Sequence, residues 1–184
     1  MCRGRASEVT SPLLFLLAAL PVLGCAPDSS GDGAPYPAFR IELTEAASER
    51  LRELGRETPV TGRAFVVVTR DTAGEPREQV DVTGVPFWGQ DVEGLASGET
   101  VRLDPDEATF AGYPLDDPGE LPAGEYSVQA LLNVYTRLER ADGHTVWMHL
   151  NSGAGQDPWR APGNPVSEVR RVRLDPEDPG PTTL

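Results

Sequence analysis

Serine, histidine and carboxylate groups suited to acyl transfer occur in this 184-residue chain, though outside the frame that acyl transfer needs. An esterase nucleophile normally sits in a Gly-x-Ser-x-Gly turn between a strand and a helix, with a histidine base and an acid behind it. Ser152, in Leu150-Asn151-Ser152-Gly153-Ala154, lacks the first glycine, and no helical pattern follows it. Ser97, in Leu95-Ala96-Ser97-Gly98-Glu99, lacks the frame as well. His144 and His149 are the only histidines, so Ser152, His149 and Asp157 make up the nearest approach to a triad. Loop serines and a surface histidine explain these residues better, and the expectation is a chain without a catalytic set.

Metal chemistry fares no better. His144 and His149 are five apart, so on one strand they face opposite ways and cannot share an ion. Asp104, Asp106, Glu107, Asp116 and Asp117 are oxygen donors of the kind calcium takes, but the Asp-x-Asp-x-Asp-Gly loop is absent. They read as solvated turns, and neither a metal nor a cofactor is expected.

Binding is the stronger possibility. The alternation around residue 147 turns Trp147 outward from a strand, while Trp88 and Trp159 fall in segments read as loops. Exposed indoles in an acidic domain are suited to stacking on sugars, with Asp91, Asp142, His149 and Asn164 supplying hydrogen bonds. The competing expectation is that these tryptophans cover sandwich edges or pack under long loops. The net charge of −13 argues against nucleic acid and against electrostatic docking on anionic lipid.

Attachment to a membrane is expected by another route. Arg3 and Arg5 precede an apolar run of eight residues, 13–20, or eleven if counted to Leu23. That length suits a secretory signal, whose apolar core runs about 7–15 residues, and falls short of the ~20 needed to span a bilayer. Val22-Leu23-Gly24-Cys25 then resembles the lipobox of bacterial lipoproteins, which implies cleavage after residue 24 and a diacylglyceryl thioether on Cys25. Ala26 after the cysteine, rather than Asp, implies sorting to the outer membrane, facing the periplasm or the cell surface. Ordinary cleavage near Gly24 would instead yield a secreted chain with an unpaired thiol. Removing Arg3, Arg5 and Glu8 leaves 14 basic and 28 acidic residues, a net of −14. Cys2 departs with the signal, so no internal disulfide is available and stability must come from packing.

The elements that would position these groups are mostly strands. Residues 25–38 are rich in Pro, Asp, Ser and Gly and read as a flexible tether. Phe39, Ile41 and Leu43 alternate with Arg40 and Glu42, and residues 65–68 are apolar on both faces, as in a central strand. Tyr126, Val128, Ala130, Leu132 and Val134 share one face of the longest run, 125–137. Ala141-Asp142-Gly143 predicts a hairpin into a strand with Val146, Met148 and Leu150 inward. The phase of Val169 against Val172 in residues 166–174 calls for a bulge. Ala47, Leu51 and Leu54 predict one short helix, capped by Thr44 and ended by Gly55. About seven strands, one helix and many Pro/Gly turns predict an all-β, immunoglobulin- or transthyretin-like sandwich over 39–176, with a linker-like tail from 177 to 184 whose last residues, 181–184, look like the opening of another strand or linker.

Several segments of this framework are distinctive. Residues 121–135, the stretch 140–149 and Pro162-Gly163-Asn164 resemble the N-terminal β-sandwich region of secreted bacterial esterases. Residues 62–68, Pro86-Phe87-Trp88-Gly89-Gln90-Asp91-Val92 and Gly112-Tyr113-Pro114 look like the same family. The resemblance spans roughly residues 39–175 and implies a non-catalytic accessory module whose partner is an esterase catalytic domain. The α/β-hydrolase domain that follows in that family has no counterpart in these 184 residues. Residues 150–159 also depart from the acidic, Gln- and Trp-rich segment of relatives. The expected function is an accessory or docking module, with carbohydrate binding as the alternative and hydrolysis third.

Overall fold

The computed structural model describes residues 37–56, 58–149, 157–177 and 180–184. Cys25, Ser152 and most of the tether lie outside the described residues. In chain order the elements are β1 (Ala38–Glu42), α1 (Glu45–Glu53), β2 (Val60–Thr69), β3 (Phe87–Leu95), β4 (Thr100–Arg102), β5 (Ala111–Tyr113), β6 (Gly124–Glu139), β7 (Thr145–His149), β8 (Arg170–Leu174) and β9 (Pro181–Thr183). Nine strands are described where about seven were expected. The fold is an all-β sandwich of two sheets, one ordered β4-β1-β9 and the other β5-β3-β2-β6-β7, with β8 also on β6.

Alternation decides what lies between the sheets. Phe39, Ile41 and Leu43 point from the small sheet onto Ala64, Val66 and Val68 of β2 and the even-numbered face of β6 from Tyr126 to Val134, all buried. β2 pairs with β3 on one side and β6 on the other, so its two apolar faces are those of a central strand. In α1 the Thr44 hydroxyl accepts the Ala47 N–H at 3.2 Å, and Gly55 closes the helix at φ +71. Leu51 is buried, but Leu54 is 45 % exposed because it lies past the last helical turn.

Three further local expectations have clear outcomes. The β6–β7 loop is a three-residue hairpin, with the Arg140 N–H on the His144 carbonyl and Gly143 at φ +83. The bulge before β8 is present. From the bridge Leu131↔Val166 to the pair Val128↔Arg170, β6 advances three residues and the other chain four. It does not reconcile the two valines as expected, since Val169 is exposed while Val172 packs on the core. Met148 shares the inward parity expected of it but is exposed, because β7 extends past the part of β6 that the small sheet covers.

Two expectations are corrected. Trp88 is in β3 rather than a loop, fully buried, with its ring 6.1 Å from that of Phe39 and 20° off parallel. The tail is not linker throughout: of the two readings of 181–184 the strand holds, since β9 lies parallel to β1 and Leu184 packs against the core.

Candidate binding surface

Beyond the pair Gly62↔Val134, β2 parts from β6 and leaves one edge of β6 facing the segment after α1. The Val134 N–H donates to Asn164 Oδ1 and the Arg140 N–H to the His144 carbonyl. Amides six apart on a strand share an edge. β7 therefore lies on the Asn164 side, and the opposite edge beside Arg137 and Glu139 pairs with no strand among the described residues. A groove of about 500 Å³ runs there, lined among others by Arg56, Thr61, Tyr135, Arg137 and Trp147.

Register brings these side chains together. Tyr135 is opposite His149 and Arg137 is opposite Trp147, so all four share one face of the hairpin. The Trp147 residue is 48 % exposed. Arg56 Nη1 donates to Thr136 Oγ1 at 2.9 Å, which holds the guanidinium against β6. Arg137 pairs with Glu139 at 2.7 Å, both side chains more than half exposed, so the pair adds little stability.

Ionisation in the groove follows from burial. The Tyr135 hydroxyl is pushed above the usual phenol range, first by burial, then by the Asp91 carboxylate, with Arg63 opposing. It stays protonated at neutral pH. Burial, followed by the Arg56 guanidinium, holds the His149 imidazole below its ordinary range, so it is neutral at pH 7. Both His149 ring nitrogens are covered and have no hydrogen-bond partner among the described residues.

The remaining expected site residues are engaged with other partners, although Asp91 stays within electrostatic reach of the Tyr135 hydroxyl. Asp91 is ion-paired with Arg63 at 2.7 Å, while Arg63 also donates to the carbonyls of Gly89 and Thr109. Asp142 is at the hairpin tip, its carboxylate taken up by Arg140 and His144. Asn164 is a structural residue: its amide accepts from the Val134 N–H and donates to Asn133 Oδ1 and the Pro158 carbonyl. Trp159 is half-buried, packed at 4.8 and 5.0 Å on Phe65 and Phe87, which face away from the core. No common platform of three tryptophans forms. Asp157 accepts the Trp159 N–H and pairs with Arg160, so among the described contacts it does not orient His149.

Arg56, Thr61, Tyr135 and Arg137 were not singled out from sequence as site residues. The signal for two of them was present, since a three-residue hairpin at 141–143 places Tyr135 and Arg137 opposite His149 and Trp147. Arg56 and Thr61 come from the far side of the groove, and no local pattern announces that packing. A second, apolar cleft of about 410 Å³ lies between Ala47, Leu51 and Leu54 and the loop residues Pro162, Pro165 and Val166. No protein-family model, curated protein or solved structure matches the chain.

Proposed function

We propose that the chain is a lipid-anchored, non-catalytic accessory module of an esterase-like system, and that it works by binding oligosaccharide in the groove beside Trp147. The observation that carries this reading is the exposed indole of Trp147 flanked by donor side chains. It offers an apolar face for a sugar ring, while Arg56, Arg137 and the protonated Tyr135 hydroxyl offer hydrogen bonds to ring oxygens. Trp88 is shielded and Trp159 partly so, which leaves Trp147 as the fluorophore a ligand would reach. Titration with xylo-, cello-, chito- and galacturono-oligosaccharides should quench its emission saturably for at least one of them. Trp147→Ala should weaken that binding by about tenfold or more, the usual loss for a central aromatic anchor. No saturable quenching by any of the four, or equal binding by Trp147→Ala, would defeat the sugar reading.

The anchor rests on residues 13–25 and is tested separately. Full-length chain in a Gram-negative host should stay with membranes through a salt wash and be released by detergent. Cys25→Ser should accumulate unprocessed or appear in the soluble fraction. Identical membrane retention of both forms would remove the lipid from the proposal. A second reading, docking of a partner catalytic domain, is favoured by the apolar cleft beside α1, where Leu54 and Val166 are 45 % and 39 % exposed.

A further inference from the structure

The β6–β7 hairpin carries a strand edge that the rest of the fold does not cover. The N–H and C=O groups of Tyr135, Arg137 and Glu139 point to the side from which β2 has departed, since those of Val134 and Arg140 point the other way. No strand pairs with them among the described residues. Natural proteins blunt such edges with proline, a bulge or a charge turned inward. Residues 135–139 contain neither proline nor glycine, and they pair with β7 without a break in register. Arg137 and Glu139 share the outward face with Trp147. The edge can accept a further strand.

Its side chains specify a second copy of the same edge. Only odd-numbered residues bond across it, so an antiparallel copy pairs odd with odd. Arg137 opposite Arg137, or Glu139 opposite Glu139, sets like charges face to face, which is destabilising. Sliding further inward is blocked, because Asn133 is already paired with Arg63 of β2. Arg137 opposite Glu139 sets unlike charges together twice, and the two-fold axis then passes between the two Leu138 residues. On that other face Leu138 is half-buried and lies opposite Val146 of β7. The same register therefore joins Val146, Leu138 and their two-fold mates in one apolar row across the paired hairpins. Both faces select one pairing. Self-repulsion is also absent here, since Arg137 and Arg140 balance Glu139 and Asp142 within residues 135–149 of a chain whose net charge is −13.

We infer that the chain forms a symmetric dimer by antiparallel pairing of its β6 edges, with Arg137 of each copy opposite Glu139 of the other and Leu138 on the axis. The exposed ion pairs fix the register more than they add affinity. The hairpin tip of the second copy then comes level with Tyr135 in the groove, so a sugar there and the dimer exclude each other. The pairing does not rest on the sugar reading, and its test contains no saccharide.

Disulfide trapping reads the register directly. The full chain with Cys2→Ser and Cys25→Ser receives one new cysteine at a time and is oxidised at equal protein concentration. Leu138→Cys puts the thiol on the axis in a non-hydrogen-bonded pair, where Cα atoms are about 4.5 Å apart, within disulfide range. Arg137→Cys and Glu139→Cys put it on diagonals of about 7–8 Å, beyond that range. Leu138→Cys should cross-link about tenfold faster than either, or more. In the Leu138→Cys background, Arg137→Glu or Glu139→Arg alone should slow trapping about fivefold or more, from two like-charge pairs. The two together restore opposite charges and should return the original rate. Should Leu138→Cys disturb the hairpin, sedimentation equilibrium of the charge variants with Leu138 intact should rank the dimers in the same order. Equal trapping at all three positions, trapping indifferent to the charge changes, or a failure of the double exchange to restore it overturns the pairing. So does a chain with Leu138 intact that sediments as monomer throughout.

Discussion

Trp88→Ala is expected to lower the free energy of unfolding by about 3–5 kcal/mol, the range for removing a large buried aromatic. The indole lies wholly inside the sandwich and stacks on Phe39, so it joins the small sheet to the large one. Its edge rests on Gly112 of β5, where even a methyl group would collide with the ring. Because small domains are stable by only about 5–15 kcal/mol in total, a loss of this size removes a large part of the margin. Trp88→Phe should cost much less. Trp88 Nε1 is buried without a hydrogen-bond partner among the described residues, and phenylalanine keeps most of the ring while removing that orphaned donor. Urea midpoints of the three proteins check the order. A Trp88→Ala variant within about 1 kcal/mol of wild type, the scale of an ordinary single substitution, would mean that the indole does not join the sheets as described.

The error over Trp88 shows what a local pattern hides. β3 alternates correctly, with Trp88, Gln90 and Val92 facing inward and Gly89, Asp91 and Glu93 outward, Gly89 being buried beneath Phe65. One inward residue is a glutamine and one outward residue a glycine, so the apolar period is broken and the segment reads as loop. Gln90 is tolerated inside because its Oε1 accepts the Asp104 N–H at 2.8 Å, a partner fourteen residues away. Gly89 is needed because Phe65 lies across it, again a fact of the neighbouring strand. Where the pattern was purely apolar, as in β1, β2 and β6, position and facing were legible. The phase break between Val169 and Val172 signalled an irregularity before β8, although Val169 stays exposed and does not join Val172 on the core.

Other features depended on contacts that sequence does not signal. Pro181-Thr182-Thr183 reads as the opening of a strand or as linker, and the parallel edge that β1 offers some 140 residues earlier in the chain decides between them. Asn164 looked like a ligand group and is instead a clamp between residues 133–134 of β6 and Pro158. The candidate groove was half legible: the hairpin fixed Trp147, His149, Tyr135 and Arg137 relative to one another, while Arg56 arrives from the turn after α1.

A second large effect is expected at Gly62. The pair Gly62↔Val134 is the last between β2 and β6 before the groove opens, and it follows a shift of register on the β3 side. A Cβ at residue 62 would fall inside the contact distance of the Asn133 carbonyl oxygen and crowd the Val134 backbone. These are main-chain atoms in the most extensive pairing of the fold, so no side chain can rotate away to relieve the clash. Gly62→Ala should therefore destabilise by about 1–3 kcal/mol or more, the cost of overpacking a rigid site. Gly74→Ala is the control, since nothing lies within 4 Å of a Cβ there and its φ is not left-handed. That change should stabilise by about 0.4–1 kcal/mol through loss of chain entropy in the unfolded state. Both variants carry the same chemical change, so the difference between their urea midpoints isolates the close approach of β2 to β6. Equal midpoints would show that the strands separate freely at this pair. The geometry of the groove would then not be set by Gly62, and the positions of Thr61 and Arg56 against Tyr135 and Trp147 would need another cause.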